Sequence, residues 1–128
     1  MAVKARALPS SQAGQPYVAR VADAAIMTAA DGTGDVGVVI ILVLERPTRF
    51  RGHKLAHLIK MRAANWEADL LAAALELSRF GVPPDVSWDQ DLPAALRGRW
   101  VRFNYAPPTQ MDGADERIEV VGSYRRPH

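Results

Sequence analysis

Three successive stretches of the chain carry the pattern of β-strands. Apolar and polar residues alternate through 17–27, and β-branched residues then fill most of the run 36–44. Alternation is typical of a strand with one buried face, and a continuous apolar run is typical of a strand covered on both faces. Pro47 ends the second strand because proline cannot donate to a sheet ladder. A third strand is then predicted over 49–62.

The next stretch changes to the period of a helix. Over 66–80 apolar residues recur three and four positions apart, at Trp66, Leu70, Ala73, Leu77 and Phe80. Leu71 and Leu75 widen this stripe. Asn65 is a suitable N-cap, and Gly81 is a suitable residue just past the C-terminus. The pattern predicts one amphipathic helix with Trp66 in the core.

Beyond this helix an irregular acidic stretch reaches residue 96, and alternation returns at 97–106 and 118–124. A ferredoxin-like fold would need a helix after the first strand, and an SH3-like barrel would not explain a four-turn helix. Five strands with a helix between the third and fourth are the order of an OB-fold, a partly open Greek-key barrel. We therefore predict a mainly β protein, a five-stranded OB-fold barrel with one α-helix between strands 3 and 4. The barrel is expected over residues 16–126, behind a flexible N-terminal tail at 1–15.

A glycine pattern between the first two strands raises the possibility of a nucleotide site. Gly32, Gly34 and Gly37 match G-x-G-x-x-G, which holds a pyrophosphate only where a helix follows. The run that follows, 36–44, favours a strand instead. The glycines therefore predict a hairpin, and no cofactor is expected.

Charge is unevenly distributed along the chain. The net charge is only +2, but 46–62 holds six Lys and Arg residues with no acid, and 97–102 holds three more arginines. Acidic residues gather instead in the loops 85–91 and 112–119. This separation predicts a dipolar surface with one face suited to a polyanion.

Composition and spacing disfavour several classes of function. The chain has no cysteine, which excludes a disulfide framework and a thiolate metal site. His53 and His57 would lie about 13 Å apart on a strand, too far to share one metal ion. The acids are loosely spaced in loops, so no enzyme is predicted. The longest apolar run is nine residues and the N-terminal segment lacks an apolar core, so a cytoplasmic protein of a bacterium or phage-infected cell is expected, with no membrane span.

The order of the motifs resembles a known family. "PYVARVADAAI" opens the domain, an apolar strand ends in glutamate, and "RFRGHKLAHLIKMR" places a glycine, a basic residue and an apolar residue before the strand that leads into the helix. "LLAAALELSRFGV" and "LRGRWVRFNY" continue the series across residues 16–125. The chain thus resembles the small OB-fold single-stranded DNA-binding proteins that phages and prophages encode for replication and recombination. It ends in "SYRRPH", a departure from the acidic, aromatic-tipped tail of the wider pattern, which puts recruitment of replication partners through such a tail in doubt.

The predicted binding surface joins the basic third strand to the fourth strand. Its residues are Arg49, Arg51, Lys54, Lys60, Arg62, Arg99, Trp100 and Arg102. On the fourth strand Trp100, Arg102 and Asn104 share one face and suit base stacking and phosphate contact, whereas Val101, Phe103 and Tyr105 are predicted core. Two alternatives stay open: the cations only solvate an exposed sheet face, or Trp100 packs beneath the helix as a core residue.

These observations together predict a non-catalytic protein that binds single-stranded DNA, or RNA, with little sequence preference. Its expected partners are nucleic acid and the proteins of replication or recombination. The alternative is a protein-interaction or structural module on the same barrel, such as a phage assembly component or a replication accessory subunit. Because the strand 36–44 is apolar on both faces, a homo-oligomer is also expected.

Overall fold

The computed structural model describes residues 8–86, 88, 91–108 and 115–125. Residues 1–7 of the predicted tail, most of the predicted turn 110–116 and residue 126 lie outside this part of the chain. The described residues form five strands, two α-helices and short 3-10 turns at Thr48–Phe50 and Ala63–Asn65. The elements are β1 Tyr17–Thr28, β2 Val36–Arg46, β3 Lys54–Met61, α1 Trp66–Arg79, α2 Asp91–Leu96, β4 Trp100–Ala106 and β5 Arg117–Ser123.

The strands form one antiparallel sheet with the order β3-β2-β1-β4-β5. β1 is its central strand and pairs with β2 along most of its length and with β4 only over residues 17–20. Two register shifts, between Val18 and Ala19 and between Val21 and Asp23, interrupt the β1–β2 ladder. Such irregularities bend a strand and increase its twist. The predicted mainly β fold with five strands and a glycine-containing hairpin between β1 and β2 is confirmed.

The sheet is open. No hydrogen-bonded pairing joins β3 to β5 in the described part of the chain, so the predicted barrel closure is not observed. Helix α1 contacts both of these outer strands. His57 of β3 contacts Glu76 of α1 and stacks on Phe80 just beyond the helix, and these contacts bring the helix over the inner face of the sheet.

The core lies between α1, α2 and the inner face of the sheet. Alternate residues of β4 are buried as the sequence predicts, namely Val101, Phe103 and Tyr105. In β2, which is apolar on both faces, the buried residues also alternate, including Val38, Ile40 and Leu42. The helix stripe is confirmed at Ala73, Leu77 and Phe80, but Leu71 and Leu75, which were predicted to widen it, are exposed. The core assignment of Trp66 is wrong: its side chain is 41% exposed. Trp66 is the first residue of α1, and burial begins only one turn later, where the helix reaches the sheet.

Two segments differ from the predicted elements. Residues 91–96, predicted to be irregular, form the short helix α2, which buries Leu92 and Leu96 and contacts β1. Proline at position 93 is compatible with this helix because it lies within the first turn, where its missing N–H has no intrahelical partner. The predicted third strand begins late because residues 47–53 form a turn, with Gly52 at a φ of +89°.

An N-terminal segment packs onto β4. The sequence predicts a flexible tail through residue 15, but Leu8 is buried and the Tyr17 hydroxyl donates to the Pro9 carbonyl at 2.7 Å. The Ser11 amide donates to the Tyr105 carbonyl at 3.0 Å, and the Tyr105 amide donates to Ser11 Oγ at 2.8 Å. Residues 8–12 therefore occupy the side of β4 that β1 leaves unpaired.

Candidate nucleic-acid interface

The outer face of the sheet carries Trp100. Because Val101, Phe103 and Tyr105 point inward and are buried, the alternation of β4 turns Trp100, Arg102 and Asn104 outward. Trp100 is half-buried, and its ring stacks on Tyr124 with centroids 6.1 Å apart and planes 23° from parallel. The Tyr124 amide also donates to the Trp100 carbonyl at 2.7 Å. Trp100 is therefore part of an aromatic pair on the outer face, and its placement beneath the helix is excluded.

Strand register places cations beside this pair. Arg20 of β1 lies opposite Trp100 on one side and Val43 of β2 on the other, and Val43 lies opposite Lys54 of β3. These positions form one row across four neighbouring strands. Neighbouring strands lie about 4.8 Å apart, so Lys54 and Trp100 are separated by roughly 14 Å along the row.

A second row brings in two further arginines. Val18 of β1 lies opposite Arg46 of β2 and Arg102 of β4. Both arginines are exposed, and Val18 is buried between the strands that carry them. Arg46 and Arg102 therefore lie on either side of Val18, about 10 Å apart at the spacing of two strands.

An open groove runs between these rows. It is lined by Arg20, Glu45, Arg46, Pro47, Thr48, Arg51 and Trp100, and its volume is about 740 Å³. We call it the Trp100 groove. Three arginines face a single acid, so the groove has a net positive charge with an aromatic ring at one side.

Glu45 is the acid of the Trp100 groove. Arg20 Nε donates to its Oε1 at 3.5 Å and Arg51 Nε donates to its Oε2 at 3.3 Å. The Glu45 side chain is only 12% exposed, whereas those of Arg20 and Arg51 are 41% and 65% exposed. The carboxylate thus lies low in the groove, and the two guanidinium groups extend above it into solvent.

The predicted site residues separate into two groups. Arg51 and Trp100 line the Trp100 groove, Arg102 lies on the row that holds Arg46, and Lys54 lies on the row that holds Trp100. Lys60 and Arg62 lie toward the opposite end of β3, where six residues of strand span about 20 Å. There the Lys60 ammonium is 3.8 Å from Asp35, and Arg62 forms an ion pair with Asp69. The basic stretch contains no acid of its own, but the fold brings acids to it from other elements.

The Arg62–Asp69 pair joins β3 to α1. Arg62 donates through Nε at 2.9 Å and through Nη2 at 3.1 Å, and its amide donates to the same carboxylate at 2.9 Å. These hydrogen bonds hold the pKa of Asp69 well below its usual range. Asn65, at the predicted N-cap position, makes no capping bond to the backbone and instead donates from Nδ2 to Asp69 at 3.0 Å.

The two remaining predicted residues make local contacts. The Arg49 guanidinium lies over the Phe50 ring, 4.9 Å from its centroid. Arg99 Nε donates to the Ala95 carbonyl at 2.6 Å, which ties the start of β4 to α2. Arg99 also lines a small cavity next to Trp100 and Tyr124, so it borders the aromatic pair from the inner side.

Sequence reasoning did not select Arg20, Arg46, Glu45 or Tyr124 for the site. Arg20 could have been found, because residues 17, 19 and 21 of the first predicted strand are apolar and a cation at 20 must then point outward. Arg46 belongs to the basic stretch itself. The Tyr124 stacking depends on the register between β4 and β5, which local pattern does not specify.

The outer face also carries apolar residues farther along the strands. Ala25, Val39 and Leu58 lie opposite one another, as do Ile41 and Ala56 in the neighbouring row. With Met27 they form what we call the outer apolar surface, on which Met27 and Leu58 are 58% and 55% exposed. Leu58 lies over Gly37, where a Cβ would approach its Cδ1 to 2.9 Å, so a larger residue at position 37 would shift the exposed Leu58 side chain.

Other site types find no support in the described residues. His57 is engaged with Glu76, and no group of three or more His, Asp or Glu side chains in this part of the chain could hold a metal ion. None of the helices described is long and apolar enough to cross a membrane.

Comparison with protein-family models, with curated proteins and with solved structures finds no match to this chain. The family resemblance therefore rests on the sequence motifs alone. The geometry of the Trp100 groove is therefore the structural evidence that bears on function.

Proposed function

We propose that this protein binds single-stranded DNA without strong sequence preference and acts, without catalysis, in replication or recombination. The observation that carries the proposal is the Trp100 groove. It combines an outward aromatic pair with Arg20, Arg46 and Arg51, and Arg102 lies one row away. Binders of single strands use this combination of aromatic side chains for the bases and cations for the phosphates.

The groove favours a single strand because stacking requires unpaired bases. In a duplex the flat faces of the bases are covered by their neighbours, and a protein reaches mainly the phosphates and the base edges. Stacking also discriminates little between bases, since every base has a π-face. Arginines contribute phosphate contacts that are independent of sequence.

We also propose that the sheet is an open form of the OB-fold. The linear order β3-β2-β1-β4-β5 becomes that of the five-stranded barrel when β3 and β5 are the strands that meet. Helix α1 contacts both of them and lies between β3 and β4 in the chain, as the helix of an OB-fold does. The bend of β1 supports the same topology, because a central strand must curve for a sheet to close.

Titration with oligo(dT) tests the proposal. Binding should quench tryptophan fluorescence, and Trp100→Ala should remove most of this signal and weaken binding by about 1–3 kcal/mol, the usual value of one base stack. Trp66→Ala is the matched control: it removes an exposed indole at the start of α1 and should leave affinity unchanged. A duplex of equal length should bind more weakly at the same salt concentration.

A second candidate function is a protein-interaction module, which the outer apolar surface favours. Surface patches of this kind mark contacts with other proteins. If the folded protein binds neither single-stranded DNA nor RNA at low salt, the proposal fails and this candidate replaces it. If Trp100→Ala folds correctly and binds with unchanged affinity, Trp100 lies off the path of the strand.

A further inference from the structure

Glu45 is unexpected in a groove that binds a polyanion. Its carboxylate lies beneath the guanidinium groups of Arg20 and Arg51, in the same groove as Arg46 and Trp100. A fixed negative charge repels each phosphate that enters. The acid must therefore either hold the arginines in position or compete with the ligand for them.

The geometry of the two contacts separates these alternatives. Charge-assisted N–H···O bonds are usually about 2.7–2.9 Å long, whereas Glu45 meets Arg20 and Arg51 at 3.5 and 3.3 Å, each through Nε. Arg62 and Asp69 show what a tight pair looks like in this protein, with two guanidinium nitrogens at 2.9 and 3.1 Å. The contacts of Glu45 are therefore weak, and the arginines gain little positioning from them.

The exposure of the arginines indicates where an anion would bind. Arg20 and Arg51 are 41% and 65% exposed above a carboxylate that is 12% exposed. A guanidinium presents its five N–H groups in a planar fork. With Nε turned toward Glu45, the terminal nitrogens remain to meet an incoming phosphate, whose two non-bridging oxygens suit bidentate pairing.

We infer that Arg20 and Arg51 form a phosphate subsite in which Glu45 is the resident counter-anion, and that a backbone phosphate of the bound strand takes over both guanidinium groups from this carboxylate. The inference rests on the proposed function and identifies one subsite within it. Glu45 lowers the affinity of the groove, so the strand is held less tightly than the arginines alone would hold it.

Glu45→Gln tests the subsite because it removes the charge and preserves the shape. Two like charges about 4 Å apart in water repel by an amount equivalent to roughly a fivefold change in a binding constant. Oligo(dT) should therefore bind the variant about fivefold more tightly at 50 mM salt. The slope of log K against log salt should also steepen by up to about 0.7, the value of one more neutralised phosphate.

Two controls separate a local effect from a general one. Glu67→Gln makes the same change in charge on the exposed surface of α1 and should change affinity much less. In an Arg20→Gln/Arg51→Gln background, Glu45→Gln should lose most of its effect, because the cations through which it acts are absent. Thermal unfolding of each variant reports whether its fold is retained.

The outcomes are distinct. If wild type binds oligo(dT) and Glu45→Gln binds equally or more weakly, the inference is overturned and the proposed function stands. An equal gain in affinity for oligo(dT) from Glu67→Gln also overturns the inference, since the effect would then come from the net charge of the protein and not from the groove. If neither wild type nor Glu45→Gln binds, the proposed function itself fails.

Discussion

The salt dependence of the proposed DNA binding should distinguish two groups of cations on this protein. One group consists of Arg20, Arg46 and Arg51, which line the Trp100 groove, and Arg102, which lies one row away. The other, Lys60 and Arg62, lies toward the far end of β3 against acidic side chains. Only cations that neutralise phosphates release counterions, so only these contribute to the slope of log K against log salt.

The expected slope follows from the number of phosphates that these arginines neutralise. Arg20 and Arg51 share one phosphate, and Arg46 and Arg102 contact one each; at about −0.7 per phosphate contact, three contacts give roughly −2. Raising salt from 50 to 200 mM should then weaken oligo(dT) binding about 18-fold. Arg46→Gln or Arg102→Gln should each flatten the slope by about 0.7, which reduces this change to about 7-fold.

Variants of the cations toward the far end of β3 are the comparison for the groove variants. Lys60→Gln and Arg62→Gln should leave the slope nearly unchanged, and Arg62→Gln should lower the melting temperature because Arg62 joins β3 to α1 through Asp69. The groove variants should unfold as wild type does, since exposed charges contribute little to folding. Fluorescence titrations at four or five salt concentrations, with thermal unfolding of each variant, measure both quantities.

The opposite pattern would refute this reasoning. If Lys60→Gln and Arg62→Gln flatten the slope while Arg46→Gln and Arg102→Gln leave it unchanged, the strand runs along β3 and avoids the Trp100 groove. The basic third strand would then be the interface, as its sequence alone predicts.

Two further predictions concern stability and association. Because hydrogen bonds from Arg62 lower the pKa of Asp69 in the folded protein, this pair stabilises the fold above the ordinary aspartate pKa and its contribution is lost as pH falls below that value. Asp69→Asn should therefore be less stable at neutral pH and lose less stability on acidification, as urea unfolding between pH 7 and pH 3 would show; equal acid sensitivity in both proteins would contradict this. The outer apolar surface predicts a homo-oligomer, which light scattering at micromolar concentration should detect. Leu58→Glu should dissociate it and Leu71→Glu, on the exposed side of α1, should not; a wild-type monomer would rule out the association.

Much of the fold follows from local pattern in the sequence. Alternation gave the buried side of β4 correctly, and the helical period identified Ala73, Leu77 and Phe80 as buried in α1, because both patterns depend only on neighbouring residues. The residues at which the strands and the helix begin were predicted less well. Residues 49–53 were predicted as part of the third strand, but they belong to a turn in which Gly52 has a positive φ. Trp66 fits the helical stripe, but whether the sheet extends beneath it depends on the tertiary structure.

The site was predictable only in part, for a related reason. Trp100 and Arg102 could be assigned an outward face from alternation within one strand. Their neighbours Arg20 and Arg46 come from two other strands, and the register that joins them includes a shift between Val18 and Ala19. The pairing of Arg62 with Asp69 likewise depends on where α1 docks. A run of charges indicates where cations are in the chain, but their partners depend on contacts between distant residues.

The segment 8–12 has a consequence for aggregation. An uncovered strand edge can pair with the edge of another molecule, and natural proteins often cover such an edge with a loop. Ser11 bonds both backbone groups of Tyr105, on the side of β4 where the ladder with β1 has already ended. A shortened form that lacks residues 8–12 would keep all five strands. It would also expose the apolar surface that Leu8 covers and the backbone edge of β4, which could then pair with another molecule. The segment thus covers backbone groups of β4 that could otherwise pair with a strand of another molecule.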